Sequence, residues 1–217
     1  MTVERNHIYN ADCMDGMAEM PDNFIDLAIV DPPYGIGDFT NKTISKKRNV
    51  TASKFAGTVS WNDSIPNEKY FKDLKRVSKH QIIWGANYFN CFDDTGGAIV
   101  WHKDTFHPNV SRCEIASCSI QKRVNYISMR WNSLSRLYDK NTNLIHPCQK
   151  PIDLYKWLLS NYAKEGDLIL DTHMGSGSSY IACLDMGFDY IGFEIDADYF
   201  KGIEDRVYHF TRQRSLL

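Results

Sequence analysis

The chain has 217 residues, of which 43% are hydrophobic and 24% are charged. These values are typical of one globular domain with a proper apolar core, and they argue against a low-complexity disordered chain. The sequence contains no run of about eighteen apolar residues that could span a bilayer, and its start lacks the apolar region of a signal peptide. We therefore expect a single domain over residues 1–217, located in the cytoplasm without membrane contact.

Charge is unevenly distributed, although the formal net charge is only −2. Two segments contain basic residues and no acidic residue. The first holds Lys42, Lys46, Lys47, Arg48 and Lys54, and the second holds Lys122, Arg123, Arg130 and Arg136. Such segments favour a local anion-binding surface. On charge alone, two solvated loops are the simpler interpretation.

The six cysteines include no Cys-x-x-Cys pair, and a domain of this length needs no disulfide bonds to fold. Four residues of the metal-binding types lie close together in sequence: His102, His107, Cys113 and Cys118. Their spacing matches no common zinc motif. We therefore predict free thiols and no metal site.

The apolar pattern predicts strands alternating with helices. Predicted strands cover residues 26–30, 81–84, 98–101, 114–120, 124–129, 167–171 and 190–194. Predicted helices cover residues 67–79, 151–162 and 178–186, and a last one begins near residue 198. Short buried strands that alternate with helices indicate an α/β domain with a mostly parallel sheet and helices on both faces.

Two segments do not follow this alternation. Residues 35–64 mix Gly, Thr, Ser, Asn and Lys without periodicity, and a loop of this length inside a domain is usually functional or mobile. Residues 102–145 are irregular apart from their two predicted strands. We interpret them as an insertion in the domain.

A glycine-rich motif follows the predicted strand that ends at Asp171. The sequence 168–177 runs from apolar residues into Gly175-Ser176-Gly177, so a ligand could approach the backbone closely at the strand's carboxyl end. The next strand ends in Glu194, where an acid typically accepts hydrogen bonds from ribose hydroxyls. Because the third glycine of the dinucleotide fingerprint is missing, the motif indicates a nucleoside cofactor and not specifically NAD. A tight strand–helix turn without any ligand is the alternative.

A second motif, Asp31-Pro32-Pro33-Tyr34, ends the predicted strand 26–30. The prolines stiffen the turn and remove two N–H donors, which leaves free carbonyl groups. A carboxylate, a carbonyl and an aromatic ring at one point suit a flat base with an exocyclic amine. By itself, the motif could equally be a structural turn at the end of a strand.

A third motif, His146-Pro147-Cys148-Gln149-Lys150-Pro151, directly precedes the glycine-rich unit. In this order, the three motifs resemble the DNA amino-methyltransferases of the circularly permuted β group, which methylate adenine N6 or cytosine N4 from S-adenosylmethionine. The opening Asn10-Ala11-Asp12-Cys13-Met14 is also similar to that family. The resemblance covers residues 7–35 and 145–200 well, and residues 66–120 loosely. It implies a Rossmann-like S-adenosylmethionine methyltransferase fold.

The resemblance implies a role for each motif. Asp31 and the Pro32 carbonyl would accept the hydrogens of the target amine in a turn stiffened by Pro33, and Tyr34 would stack on the flipped base. The implied cofactor residues are Asp12, Cys13, Asp31, Gln149, Lys150, Asp171, His173, Gly175, Ser176, Gly177, Ser178, Glu194 and Ile195. Two features depart from the family: His173 replaces its usual phenylalanine, and Ser178-Ser179 replaces Thr-Thr.

The implied reaction is direct in-line transfer of a methyl group to the N6 amine of a flipped adenine in double-stranded DNA. Two acceptors on the amine stabilise the positive charge that grows during attack, and neither a metal ion nor a covalent intermediate is needed. Adenine is preferred because the family's cytosine-N4 members usually carry Ser in place of Asp31. A cytosine-N4 enzyme, a non-catalytic nucleic-acid-binding relative, an RNA substrate and an NAD-dependent oxidoreductase are the alternatives.

Basic residues would offset the cost of flipping the base by contacting phosphates. The expected DNA contacts are Lys42, Lys46, Lys47, Arg48, Lys54, Arg123, Arg130 and Arg136. Residues 102–145 would form a short target-recognition insert. Because so short an insert reads few bases, we also expect a homodimer, and a cognate restriction endonuclease would be a further partner.

Overall fold

The computed structural model describes residues 1–37, 60–92, 94–104, 111–131 and 144–214, and the fold is given for these. Eight strands form one sheet. They are β1 (His7–Tyr9), β2 (Ile25–Val30), β3 (Ser78–Trp84), β4 (Ala98–His102), β5 (Cys113–Cys118), β6 (Val124–Ser128), β7 (Leu168–Asp171) and β8 (Asp189–Phe193). Their order across the sheet is β1-β8-β7-β2-β3-β5-β4-β6.

All strands of this sheet run in the same direction except β5, which is antiparallel to both β3 and β4. The carboxyl ends of β2, β7 and β8 therefore lie at one edge, which we call the carboxyl edge. The carboxyl ends of β4 and β6 lie there too, and β5 begins there. In open α/β sheets ligands bind at this edge.

Six α-helices connect the strands in the described part of the chain. They are α1 (Cys13–Glu19), α2 (Glu68–Val77), α3 (Ala86–Phe89), α4 (Ile152–Tyr162), α5 (Ser178–Met186) and α6 (Ala197–Arg214). Side chains cap three of them: Asp12 accepts from the Met14 N–H at 2.9 Å, Asn67 from the Tyr70 N–H at 3.0 Å, and Asp196 from the Tyr199 N–H at 3.0 Å. Each cap satisfies a backbone donor that the helix itself leaves without a partner.

The core consists of two apolar layers, one on each face of the sheet. Strand β2 contributes to both, because Leu27 and Ile29 pack on the layer of α4, α5 and α6. Ala28 and Val30 pack on the layer of α1 and α2. A strand buried on both faces has a continuous apolar sequence, as residues 27–30 do. The structure confirms the predicted α/β fold with a mostly parallel sheet between helices.

The two irregular segments are only partly described. Strands β5 and β6 arise from within residues 102–145 and are integral to the sheet, whereas residues 105–110 and 132–143 of that segment lie outside the described residues. Of the loop 35–64, residues 38–59 lie outside the described residues, and its end contains a short 3-10 helix over Ser60–Asn62. Recognition by residues 102–145 stays a prediction. Within the described ranges, no helix is long and apolar enough to cross a membrane.

Candidate active site

The turn 31–34, which we call the Asp31 turn, lies at the carboxyl edge directly after β2. The hydroxyl of Tyr34 donates to Oδ1 of Asp31 at 2.6 Å. The backbone N–H of Tyr34 donates to Oδ1 of Asn62 at 2.9 Å, and Nδ2 of Asn62 donates to the Gly37 carbonyl at 3.1 Å. Because Asn62 is only 2% exposed, this side chain holds the turn from inside the protein. The sequence analysis did not identify Asn62.

The ring of Tyr34 packs against Tyr88 of α3, with centroids 4.9 Å apart and planes 15° apart. Gly85 makes room for it, since its φ is +77° and an added Cβ would lie 2.3 Å from Cε1 of Tyr34. Burial, followed by the nearby Asp31 charge, raises the pKa of Tyr34 well above its usual value. Tyr88 is 41% exposed, so the more exposed ring of this pair is one that the sequence did not indicate.

Lys150 contacts the Asp31 carboxylate directly. Its Nζ donates to Oδ2 of Asp31, lies 3.4 Å from the Tyr34 hydroxyl and 3.1 Å from Oε2 of Glu114. Glu114 also forms an ion pair with Lys103 through Oε1. The sequence predicted that Lys150 shapes the cofactor pocket, whereas the structure places its ammonium group on Asp31. Glu114 and Lys103 carried no motif signal, so sequence reasoning missed them.

These contacts keep the buried charges ionised. Burial favours a neutral Lys150, but the carboxylates of Asp31 and Glu114 outweigh it and raise the pKa of Lys150 above its usual value. Burial likewise opposes ionisation of Glu114, yet the ammonium groups of Lys150 and Lys103 lower its pKa to about 2. Opposite charges within a few ångströms favour the charged forms in this way.

The glycine-rich turn 172–177 follows β7, and two carboxylates hold it. Asp171 is 1% exposed and accepts from Oγ of Ser179 at 2.6 Å and from the His173 N–H at 3.0 Å. Burial raises the pKa of Asp171 to about 7 in spite of these donors. Asp171 therefore supports the turn from behind and presents almost no surface of its own to a ligand.

Glu194, directly after β8, closes the turn from the other side. It accepts from the Gly175 N–H at 2.8 Å and from the Asp196 N–H at 2.9 Å, with one bond to each oxygen. Because a carboxylate oxygen accepts more than one hydrogen bond, both oxygens keep acceptor capacity for a ligand hydroxyl. The pKa of Glu194 is raised by burial, against the lowering effect of these N–H donors.

Both glycines of the turn have a left-handed backbone. The φ of Gly175 is +53° and that of Gly177 is +70°, and a Cβ at Gly177 would lie 2.7 Å from Ile203. Other residues rarely adopt such angles. The turn therefore requires glycine at both positions for its backbone conformation, and at Gly177 also for close packing against Ile203.

His173 lies in the same turn, where the family usually has phenylalanine. Its Nδ1 is 2.9 Å from the Thr172 hydroxyl, which is 2.7 Å from the Tyr70 hydroxyl, and its ring meets the Tyr70 ring edge-on at 5.4 Å. Burial lowers the pKa of His173 to about 4, against the opposing charge of Asp12. The histidine is therefore a neutral, packed side chain at physiological pH.

This lowered pKa predicts a pH-dependent difference between His173→Phe and the wild type. The unfolded chain protonates His173 near its ordinary pKa of 6.5, whereas the folded chain does so near 4. Between these values protons favour the unfolded state, so the stability that His173 contributes is present above pH 6.5 and is lost as the pH falls toward 4.

Since phenylalanine does not titrate, thermal unfolding should show His173→Phe gaining stability relative to wild type as the pH drops through this window. The gain is at most about 1.4 kcal/mol for each pH unit. Any constant cost of losing the Thr172 contact does not alter that slope. A stability difference between His173→Phe and wild type that is the same at all pH values would contradict the prediction.

The segment 146–151 contacts both turns of the site, the Asp31 turn through Lys150 and the glycine-rich turn through His146. His146 stacks on Trp61 at 5.0 Å, meets the Tyr199 ring edge-on at 4.6 Å and covers the turn near Gly175. Gln149 is buried, and its side-chain oxygen accepts from the Ile145 N–H at 3.3 Å. Predicted as a cofactor residue, Gln149 therefore fixes the backbone of its own loop.

The remaining predicted cofactor residues differ in accessibility. Asp12 is exposed at the start of α1, and Cys13 is buried, which raises the pKa of its thiol to about 12. Ser176 and Ser178 are buried with their hydroxyls 3.1 Å apart, whereas Ile195 is 67% exposed. Because β1, β8 and β7 are neighbours, Asp12 and the ends of both other strands meet at one part of the carboxyl edge.

The predicted DNA contacts separate into three groups. Arg130 follows β6 at the carboxyl edge and pairs with Asp104 at 3.3 Å. Arg123 and Lys122 lie in the connection from β5 to β6, which is at the opposite edge of the sheet. The others lie outside the described residues: Lys42, Lys46, Lys47, Arg48, Lys54 and Arg136. In the described ranges, no three His, Cys, Asp or Glu residues are grouped to hold a metal ion.

Comparisons with known proteins identify a similar family and similar relatives. Residues 99–205 match the family model of the N6/N4 DNA methylases. The type II methyltransferase M2.MboI of Moraxella bovis is 26% identical over 245 aligned positions, which cover 94% of this chain and 87% of that protein.

Two solved structures share the fold. The M1.HpyAVI–S-adenosylmethionine complex has a TM-score of 0.58 at 17% identity, and the alignment covers 92% of this chain and 98% of that one. The cytosine-N4-specific PvuII DNA methyltransferase has a TM-score of 0.60 at 13% identity, covering 97% and 93%. The family match, the related methyltransferase and the Asp31 turn beside a glycine-rich turn lead to one conclusion. The chain is similar to the N6/N4 DNA methylases, whose family model matches residues 99–205.

Proposed function

We propose that this protein transfers a methyl group from S-adenosylmethionine to the N6 amine of an adenine that is flipped out of duplex DNA. One observation carries the proposal: the Asp31 turn and the glycine-rich turn lie side by side at the carboxyl edge. Strands β2 and β7 are adjacent and parallel, with Leu27 opposite Ile169 and Ala28 opposite Leu170. A target amine at Asp31 and a cofactor at the glycine-rich turn would therefore meet.

The residues present fit S-adenosylmethionine, which supplies an already activated methyl group when bound. Gly175 and Gly177 give the turn the left-handed backbone of a strand–helix turn at the carboxyl edge, where nucleoside cofactors bind, and Glu194 keeps acceptor capacity for ribose hydroxyls. His173 and the exposed Asp12 border the same part of the edge. The fold is also that of M1.HpyAVI, which was crystallised as an S-adenosylmethionine complex.

On the substrate side, Asp31 and the Pro32 carbonyl would accept the two hydrogens of the target amine. These acceptors stabilise the positive charge that develops on the nitrogen, and one of them carries a full negative charge. The Tyr34 hydroxyl and the Lys150 ammonium fix the orientation of the Asp31 carboxylate before substrate arrives. The paired rings of Tyr34 and Tyr88 supply an aromatic surface for the base, of which Tyr88 is the exposed part.

The choice of adenine rests on Asp31, where cytosine-N4 members usually carry Ser. We also infer the circularly permuted β-group order, because the Asp31 turn precedes the glycine-rich turn in the chain. The fold by itself does not discriminate between the bases, since the cytosine-N4-specific PvuII enzyme shares it.

The test is transfer of labelled methyl from S-adenosylmethionine to unmodified duplex DNA, single-stranded DNA and RNA, followed by nucleoside analysis. We expect N6-methyladenine in the duplex sample. Label on cytosine N4 would overturn the base assignment and leave the reaction type intact. Label in RNA alone would overturn DNA as the substrate, and no transfer at all would favour a binding-only relative.

We further propose that DNA binds along the carboxyl edge. Two exposed arginines test this, because Arg130 lies at that edge and Arg123 lies at the opposite one. Arg130→Ala should weaken DNA binding several-fold at moderate salt and reduce the slope of log Kd against log salt by about 1, the loss of one phosphate contact. Arg123→Ala, at the opposite edge, should leave both quantities unchanged. Fluorescence anisotropy over a salt series measures both variants. Equal effects of the two changes would contradict the assignment of DNA to this edge.

Lys42, Lys46, Lys47, Arg48 and Lys54 lie outside the described residues, between Gly37 and Asn62 in the chain. Because Gly37 and Asn62 are hydrogen-bonded to each other beside the Asp31 turn, these basic residues would supply further phosphate contacts. A homodimer and a cognate endonuclease stay predictions. Gel filtration at several concentrations tests the dimer, which a concentration-independent monomer would exclude.

A further inference from the structure

Four buried charged side chains form a line of alternating sign across the carboxyl edge, which we call the charged line. In order they are Lys103, Glu114, Lys150 and Asp31. Each forms an ion pair with the next, and Nζ of Lys150 lies 3.1 Å from Oε2 of Glu114. Their side chains are between 4% and 18% exposed, so water screens them little.

The charged line depends on the antiparallel direction of β5, which brings Glu114 to the carboxyl edge. Asp31 follows β2 and Glu114 lies on β5, on either side of β3, so Lys150 bridges two strands that are not neighbours. Its Nζ lies 5.6 Å from the ring of Trp84, the last residue of β3. The Nζ of Lys103 lies 5.3 Å from the ring of Trp101 in the same way. Both ammonium groups therefore have an indole ring as a second favourable neighbour.

The charged line keeps Lys150 from fully neutralising Asp31. A lysine paired with Asp31 alone would neutralise the carboxylate, and a neutralised pair stabilises a positively charging amine poorly. Because Glu114 is present, the ammonium group of Lys150 pairs with two carboxylates instead of one. Asp31, Glu114 and Lys150 together therefore carry a net negative charge. Lys103, at the far end of the line, balances that charge and is farthest along it from Asp31.

We propose that Glu114 is a positioning residue for methyl transfer: by sharing the ammonium group of Lys150, it preserves the negative charge of Asp31 that faces the target amine. Lys103 is the counter-charge that permits a buried carboxylate at this position. The inference rests on the proposed function, because it assigns to Asp31 the role of amine acceptor. The low pKa of Glu114, about 2, agrees with a carboxylate that stays ionised throughout the physiological range.

The first test compares Glu114→Gln with a matched exposed control, Glu204→Gln on α6. Glu114→Gln should lower kcat about tenfold to a hundredfold, as expected for removing one charge close to the reacting centre at moderate dielectric. KM for DNA and the affinity for S-adenosylmethionine should change by less than about threefold, because the charge acts on the transition state. Wild-type kcat in Glu114→Gln would overturn the proposal.

A charge-balanced double variant separates this effect from loss of packing. Lys103→Gln together with Glu114→Gln removes the cation that the single variant leaves unbalanced, so kcat should recover several-fold above that of Glu114→Gln. If Glu114 served only to fill space, the double variant would be at least as slow as the single one, and that result would overturn the proposal. Should Glu114→Gln fail to fold, the double variant replaces it, with kcat below wild type and KM unchanged as the supporting result.

A third measurement does not depend on activity. In a protein labelled with 15N-lysine, the buried ammonium signal of Lys150, identified by its loss in Lys150→Met, should shift in Glu114→Gln and not in Glu204→Gln. An unshifted signal would overturn the link between Glu114 and Lys150. If the wild type transfers no methyl group to any nucleic acid, the proposed function fails separately, and this spectrum still decides whether the charged line exists.

Discussion

Replacing Asp31 by asparagine should reduce methyl transfer to DNA by about a hundredfold to a thousandfold. The amide has no negative charge and one acceptor oxygen fewer, so it cannot offset the positive charge that develops on the target amine, and a single stabilising group of this kind is worth about a hundredfold to a thousandfold in rate. The added NH₂ group would also face Lys150, which repels it. Single-turnover transfer of labelled methyl to duplex DNA measures the effect.

Binding of S-adenosylmethionine by Asp31→Asn should fall far less than the transfer rate, because none of the hydrogen bonds that hold the glycine-rich turn comes from Asp31. Lys150 retains Glu114 as a partner, so we expect the variant to fold. The matched control is Asp22→Asn, whose side chain is 72% exposed and pairs with Arg76 on the surface. A variant Asp31→Asn with more than about a tenth of the wild-type rate would refute the role of this carboxylate.

Replacing Glu194 by alanine should raise the Kd for S-adenosylmethionine about tenfold to a hundredfold. Glu194 holds the backbone donors of Gly175 and Asp196 and would accept ribose hydroxyls from the cofactor. Hydrogen bonds to a charged group contribute about 1.5–3 kcal/mol each, and about 1.4 kcal/mol corresponds to a tenfold change in Kd. Calorimetric titration with S-adenosylhomocysteine, the demethylated product, measures the effect without turnover.

Two companion variants sharpen this result. Glu194→Gln keeps one acceptor oxygen and should lie between wild type and Glu194→Ala in affinity. Glu204→Ala, an exposed change on α6, should bind like the wild type. If Glu194→Ala binds within threefold of wild type, the cofactor does not use this carboxylate, and its role is confined to the turn.

Much of the fold could be predicted from the sequence because of how its strands are buried. The central residues of strands β2, β3, β7 and β8 are buried on both faces, so residues 27–30, 82–84, 168–170 and 190–193 each appear as a short apolar run. Strand β1 has only three residues, His7–Tyr9, and depends on pairing with β8, so its own pattern is too short to identify it. Helix α3 has four residues between left-handed Gly85 and Asn90, which no apolar period marks.

Some residues of the candidate site could likewise be predicted from local sequence and others could not. Asp31 and Glu194 were predictable because each ends a strand inside a local motif, and parallel strands bring their carboxyl ends to one edge. Tyr88 was not, because nothing local to residues 86–89 shows that Gly85 leaves space for the Tyr34 ring. Arg123 and Arg130 share one basic segment in the sequence, and only the direction of β6 separates them to opposite edges of the sheet.

The sequence alone indicated the two candidate motifs: a carboxylate turn suited to an amine, a glycine-rich turn suited to a nucleoside cofactor, and the order of both along apolar strands. Local motifs suffice for that, because each is built within about ten consecutive residues. Only the tertiary structure decided which charges act on Asp31. Lys103, Glu114 and Lys150 meet because β5 runs against its neighbours and brings its first residues to the carboxyl edge. Such a meeting depends on strand order and register, which no short stretch of sequence encodes.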